Sequence, residues 1–192
     1  MGHLFSAHDK VVASNFSLSN KLSKAKKSKS SPFVCEKHCE ILTRSWPHVD
    51  AYGPEKIGIT MFTGLFRDHP ESFQMFQSFR DEQNWQTSPH FIHHCRVVVA
   101  VIGSSIKTLK TPETLCPHLQ FLGTQHSVRG ITLEHMACLG NEFIKALEGV
   151  LSPMGSTKWN NEIKTAWKDL FDRYYLIFMP LAMNILNSHL TY

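Results

Sequence analysis

SPHFIHHCRVVVAVIGSSIKTL, residues 88–109, and ETLCPHLQFLGTQH, residues 113–126, are the stretches whose reading decides the fold. Arg96 to Ile102 alone would suit a buried strand, because its valines are β-branched. Length argues for a helix instead: the pattern runs unbroken through Ile106 to Leu109. Ser88-Pro89 supplies a capping hydroxyl and a first-turn proline. Phe91, His94, Val98, Val101 and Ser105 recur at three and four residues and should share one face, with His94 its one strongly polar member. Thr111-Pro112 closes that helix. Leu115, Leu119, Leu122 and His126 then repeat at four, three and four, putting a second histidine on an apolar stripe just before the turn at Gly130.

Two helices that each offer a histidine to the space between them suggest a metal-bearing pocket. Neutral imidazole binds iron well, and a haem on one such ligand needs an apolar box. The chain has twelve histidines, however, and one on an apolar face is more often a hydrogen-bonded core residue. His93 points about 100° away from His94 in a helix and reads as a solvated neighbour.

At 192 residues and 42% apolar, the chain suits one compact domain with a leader. We divide it at 1–33, a basic segment too polar to fold alone, and 34–190, the folded domain. No apolar run reaches membrane-spanning length, and the first thirty residues lack a signal-peptide core. The five cysteines therefore read as reduced thiols in cytosol. Cys35, His38 and Cys39 lie within one helical turn, but no second Cys/His pair stands at finger spacing, which argues against zinc. Residues 1–35 carry a net charge of +5, leaving about −1 for the remainder of a +4 chain. The folded part thus gives no case for nucleic acid.

Met1-Gly2-His3-Leu4-Phe5-Ser6 fits the N-myristoylation pattern at Gly2. One such chain anchors only marginally, and a polybasic patch is the usual second signal. Lys21, Lys24, Lys26, Lys27 and Lys29 form one, each adding on the order of 1 kcal/mol near an anionic leaflet. Phosphorylation of Ser23, Ser28 or Ser30 would weaken that attraction. The rival reading is a solvated leader with no membrane role.

Further helices are expected from Val34 to Val49, from Pro54 to His69, from Thr132 to an end marked by Gly149 and Ser152-Pro153, and from Ser156-Thr157 to Pro180, which should kink or end the last. Gly58 in mid-helix costs about 1 kcal/mol against alanine, which implies close approach of another helix. Leu133, Met136, Gly140, Phe143 and Leu147 should line the fifth helix, and Ala166-Trp167, Phe171, Tyr174 and Phe178 the last. Phe73, Phe76, Phe79 and Trp85 give the corner after Pro70 an unusual density of rings.

Taken in order, these landmarks resemble a globin over residues from about Cys35 to Ile185, with a neuroglobin-like flavour. Trp46 stands in the first helix, and Phe62 and Leu65-Phe66 in the second. Pro70 and Phe76 follow, then Ser88-Pro89 and Phe91 ahead of His94. Leu122-Gly123 precedes His126, and Ala166-Trp167 lies in the last helix. The resemblance implies an all-α globin fold of about seven to eight helices around haem b. His126 would be the proximal iron ligand and His94 the distal residue. Phe62 and Val98 would shape the distal side, Leu122 and Ile131 the proximal side, and Phe76 and Phe79 the haem edge. The distal helix would cross the second helix at Gly58, with Cys95 facing it. Val97 stands where the family often has a propionate-binding base, so Arg96 or Arg129 would have to substitute.

The implied function is binding of oxygen or nitric oxide. His94 has two roles open to it: hydrogen bonding to a bound gas, or ligation of iron when no gas is present. The second is the neuroglobin-like expectation. It suits redox or signalling work with an electron-donor protein, on the inner face of the plasma membrane if Gly2 is acylated. The alternatives are an oxygen carrier with an open distal site and a haem-free helical interaction module. No catalytic constellation stands out, so enzymatic activity would take the form of haem redox chemistry.

Overall fold

The computed structural model describes residues 32–178, and these lie within the unit Pro32–Tyr192, one of two into which the chain divides. The acylation motif, the lysine cluster, Pro180 and residues 181–190 lie outside the described residues. Six α-helices are present among the described residues, with no strand. They are α1 (Glu36–Tyr52), α2 (Pro54–Asp68), α3 (Pro89–Lys107), α4 (Pro112–Ser127), α5 (Leu133–Leu151) and α6 (Asn161–Phe178). Short 3₁₀ turns cover Pro70–Met75, Trp85–Thr87 and Ser152–Met154. No helix among the described residues is long and apolar enough to cross a membrane.

The helices pack as a chain of neighbours. α3 crosses α2, α2 lies on α5, and α5 lies on α6; α1 and α4 both rest on α6. Gly58 makes the α2–α3 crossing close, since a Cβ there would stand 2.5 Å from the Cys95 carbonyl oxygen and 2.8 Å from the Cys95 Cβ. Cys95 is buried, as its expected place opposite Gly58 requires. Beyond it, Trp46 of α1 presses on Gly103 of α3 and on Trp167 of α6, at 6.4 Å between ring centroids. Below these crossings Leu42, Phe143, Leu147, Trp167 and Leu170 are fully buried.

Several local expectations needed correction. The buried face of α3 is Phe91, Cys95, Val99, Ile102 and Ile106, whereas Val101 is 36% exposed. Residues 97–102 are all apolar, so periodicity could not choose among neighbouring phases; the Gly58–Cys95 contact does. His94 and Val98 consequently lie half-buried on the flank of that face. Ser88 does not cap α3: its hydroxyl donates to Glu82 at 2.8 Å.

Leu133 is 49% exposed, on the first turn of α5, where it borders a cavity on the α5–α6 seam. α5 ends at Leu151, before Ser152-Pro153 as expected; Gly149 does not interrupt it, because burial of Leu147 and Leu151 one turn apart carries the helix past it. α6 begins at Asn161, later than expected. Asn160 sets that start, its Oδ1 accepting from the backbone N–H groups of Glu162 and Ile163 at 3.0 Å each.

Candidate functional site

The first wall is aromatic, built where α2 and α3 cross. Phe62 of α2 is buried, its ring 5.1 Å from that of His94; Phe76, from the corner after α2, lies 5.4 Å from the same imidazole. Phe62 and Phe76 meet edge-on at 5.6 Å. Phe79 is buried and stacks on Phe76 at 5.2 Å, with Phe91 at 5.3 Å on its other contacts, so it supports Phe76 within the core. Phe66 completes the cluster, touching Phe73, Phe76 and Trp85 at 5.0, 5.0 and 5.4 Å. The sequence shows many rings here; only the packing says which of them face a histidine.

His94 itself is held in its neutral form. Its pKa is pushed down to about 4, mainly by burial and then by the charges His126 and His93 would carry. Neither ring nitrogen has a hydrogen-bond partner among the described residues. A half-buried imidazole in that condition has a lone pair to offer and nothing among the described residues to offer it to. His93 and His90 are exposed.

The opposite wall is α4. Leu115 and Leu119 are buried and fix the helix on α6, while Leu122 and His126 stay half-buried. The His126 Nδ1–H donates to the Leu122 carbonyl one turn back, at 2.7 Å. That bond assigns the proton to Nδ1 and leaves Nε2 as the ring's donor atom. The carbonyl of His126 in turn accepts from the backbone N–H groups of Arg129 and Ile131 at 3.0 and 3.2 Å, which folds Ile131 back beside the ligand residue. Gly130 makes the turn, at a φ of +80° that suits glycine.

Phe76, Val98, Leu122, Ile131, Met136 and Leu139 are all apolar and all only half-buried, unlike the closed core beneath them. Leu139 went unnoticed in the sequence, although it stands three residues from Met136. Of the basic residues considered for propionates, Arg96 is paired with Glu55 of α2, and Arg129 donates to the Gln125 carbonyl. Another contact that the sequence did not reveal joins the buried hydroxyls of Ser105 on α3 and Tyr174 on α6. Burial holds the Tyr174 phenol well above its ordinary range, although the Ser105 hydrogen bond pulls the other way.

No trio of His, Cys, Asp or Glu that could hold a bare metal ion occurs among the described residues. His38 of the Cys35-His38-Cys39 turn is engaged with Asp169 at 2.8 Å. One or two imidazoles in an apolar slot instead fit a metal whose remaining ligands come with a flat macrocycle, so the donor set suits haem. A cavity of about 420 Å³ on the α5–α6 seam is lined by neither histidine.

A sequence model of the globin family matches residues 59–176. Neuroglobin from Danio rerio is 27% identical over 143 residues, covering 72% of this chain and 86% of that protein. Neuroglobin from Dissostichus mawsoni is 26% identical over the same length and coverage. The major polymeric globin component P1 of Glycera dibranchiata is 28% identical over 120 residues, covering 62% of this chain and 82% of that globin.

Proposed function

The chain belongs to the globin family, which implies a haem and the binding of a diatomic gas, and from that premise we propose a haem b globin whose haem His126 and His94 would hold. Haem b is favoured because the sequence has no Cys-x-x-Cys-His run for covalent attachment. When bound, the group supplies an iron that takes up a diatomic gas and passes between ferrous and ferric states.

The chain's own residues do the rest. His126 presents Nε2 as ligand, and its Nδ1 bond to the Leu122 carbonyl both prevents the ring from turning and raises its basicity. Leu122 and Ile131 keep water from that side. Phe62, Phe76 and Val98 do so on the other, where they surround His94. The observation that carries the reading is His94 itself, neutral and without a hydrogen-bond partner among the described residues. An imidazole in that state would be able to hold the iron together with His126, in competition with a diatomic gas. A site closed at both faces suits electron exchange with a donor protein better than bulk oxygen storage, and on that ground we place the function in redox chemistry or signalling.

Attachment to the inner face of the plasma membrane through Gly2 and the lysines at 21–29 is part of the same proposal. It is supported by the sequence pattern of the leader.

The test is the visible spectrum of the purified protein, oxidised and then reduced without gas. Sharp, split low-spin bands are expected. A broad single band would instead assign an open distal site and a carrier, and the absence of a Soret band would remove the haem altogether. His126→Ala should abolish tight haem retention on a desalting column. His94→Leu should keep the haem and convert the reduced spectrum to the broad form. For the leader, Gly2→Ala should shift the protein from the membrane to the soluble fraction; identical fractionation would remove the anchor.

A further inference from the structure

We infer that the cavity between α1 and the segment leading into α6 is a binding site for a small anion bearing a phosphate group, gripped by Arg44 and Lys158. The cavity measures about 300 Å³, at the small end of the range for small-molecule sites. It shares no lining residue with the slot between the two histidines, and the inference does not rest on the haem reading.

Ile41, Arg44, Ser45 and His48 are spaced three and four apart, so α1 turns a single face to the cavity. Facing them are Thr157, Lys158 and Asn160 from the approach to α6. Lys158 is half-buried, and its ammonium donates to His48 Nε2 at 3.0 Å. An ammonium can only donate, so the ring nitrogen accepts and supplies no negative charge. Arg44 makes neither an ion pair nor a hydrogen bond among the described residues; its charge is felt only by Glu162. Glu162, the one carboxylate on the cavity wall, is already held by Lys37 at 2.6 Å.

Many other basic residues of the fold are paired. Lys37, Arg96, Lys145, Lys164 and Lys168 each sit on a carboxylate. Two cations converge on a cavity whose single carboxylate, Glu162, is shared with Lys37, and one of them is partly withdrawn from water, which leaves a deficit that an anion would fill.

The donor set selects the chemistry. A planar guanidinium, an ammonium and the Thr157 hydroxyl match the several acceptor oxygens of a phosphate group better than the two of a carboxylate. The N-terminus of α6 takes no part, since Asn160 Oδ1 already accepts its first free N–H groups. Asn160 also donates to the Ser156 carbonyl at 3.0 Å, which stiffens the segment that carries Lys158.

The experiment titrates inorganic phosphate into the full-length protein and follows backbone amide shifts by ¹⁵N NMR. Saturable shifts are expected at Arg44, His48, Thr157 and Lys158. Lys158→Met and Arg44→Met should each weaken binding by roughly tenfold, the loss of one charge-assisted contact, and Lys158→Arg should restore most of it. Circular dichroism and melting temperature equal to the parent's would show that the variants are folded. A second arm sediments the protein with phosphatidylcholine vesicles, with and without phosphatidic acid. Lys158-dependent sedimentation would assign the phosphate to a lipid headgroup; Lys158-dependent shifts with inorganic phosphate alone would assign a free ligand. No saturable response to either probe, or a response unchanged in both methionine variants, would overturn the site.

Discussion

Single residues in this fold take their chemistry from what is packed on them, and Cys95 is the plainest case. Its thiol is buried under Gly58, and burial pushes its pKa from 9 up to about 12. Because the thiolate is the nucleophile, iodoacetamide at pH 8 should label the exposed Cys35 and leave Cys95 unmodified until the protein unfolds. Peptide mass mapping checks this, and native labelling of Cys95 would contradict the burial. The linkage has a definite sign. An acid whose folded pKa is raised stays protonated in the native state while the unfolded chain ionises. Cys95 therefore favours folding below pH 9 and loses that contribution as pH climbs from 9 towards about 12. The two histidines illustrate the same dependence in another form. Both were visible in the sequence as polar members of apolar stripes. What distinguishes them is that one is tied to the Leu122 carbonyl and the other has no such bond, and neither fact follows from spacing.

Among elements, the α2–α3 crossing sets the geometry of the aromatic wall. Gly58→Ala would put a methyl group onto the Cys95 backbone, which cannot yield as a flexible side chain could. A loss of about 1–3 kcal/mol in urea unfolding is expected, the usual range for overpacking. Gly149→Ala, at a site with open space around it, serves as the control and should be neutral or slightly stabilising. The entry to α5 offers a second test. Thr132 and His135 exchange a capping box, His135 N–H to Thr132 Oγ1 at 3.3 Å and Thr132 N–H to His135 Nδ1 at 3.1 Å. Thr132→Ala should lower stability by about 1 kcal/mol. The same denaturation series would show it, and an unchanged midpoint would mean that the cap contributes nothing. The cap was legible because threonine before an apolar run is a local signal. The phase of α3 was not, because its uniform run of valines erases the periodicity on which such a reading depends.

For the molecule as a whole, α3 and α4 are anchored on different neighbours: α3 on α2 and α1, α4 on α6. Val98 and His94 on α3, and Leu122 and His126 on α4, are half-buried and so partly open to water. In the haem-free protein α4 should consequently be the least protected helix. Hydrogen exchange over residues 112–127 should be faster than over α2 and α5, and haem should slow it selectively. Equal protection of all helices in the absence of haem would show that α4 is held by something other than the ligand. A helix that docks on only one firm partner is the natural place for a fold to admit a large flat guest.

By itself the sequence determined the all-α class, most helix positions, the turn at Gly130, a close helix approach at Gly58, and two histidines on facing helices. Helix periods, prolines and glycines are local signals, carried by residues a few positions apart. Only the tertiary structure decided which face of α3 is buried, that Phe79 stands within the core supporting Phe76, and that Ser105 meets Tyr174. It alone brought Arg44 together with Lys158. These depend on side chains from distant segments competing for the same space and the same hydrogen bonds, and that competition leaves no mark on the spacing of residues along the chain.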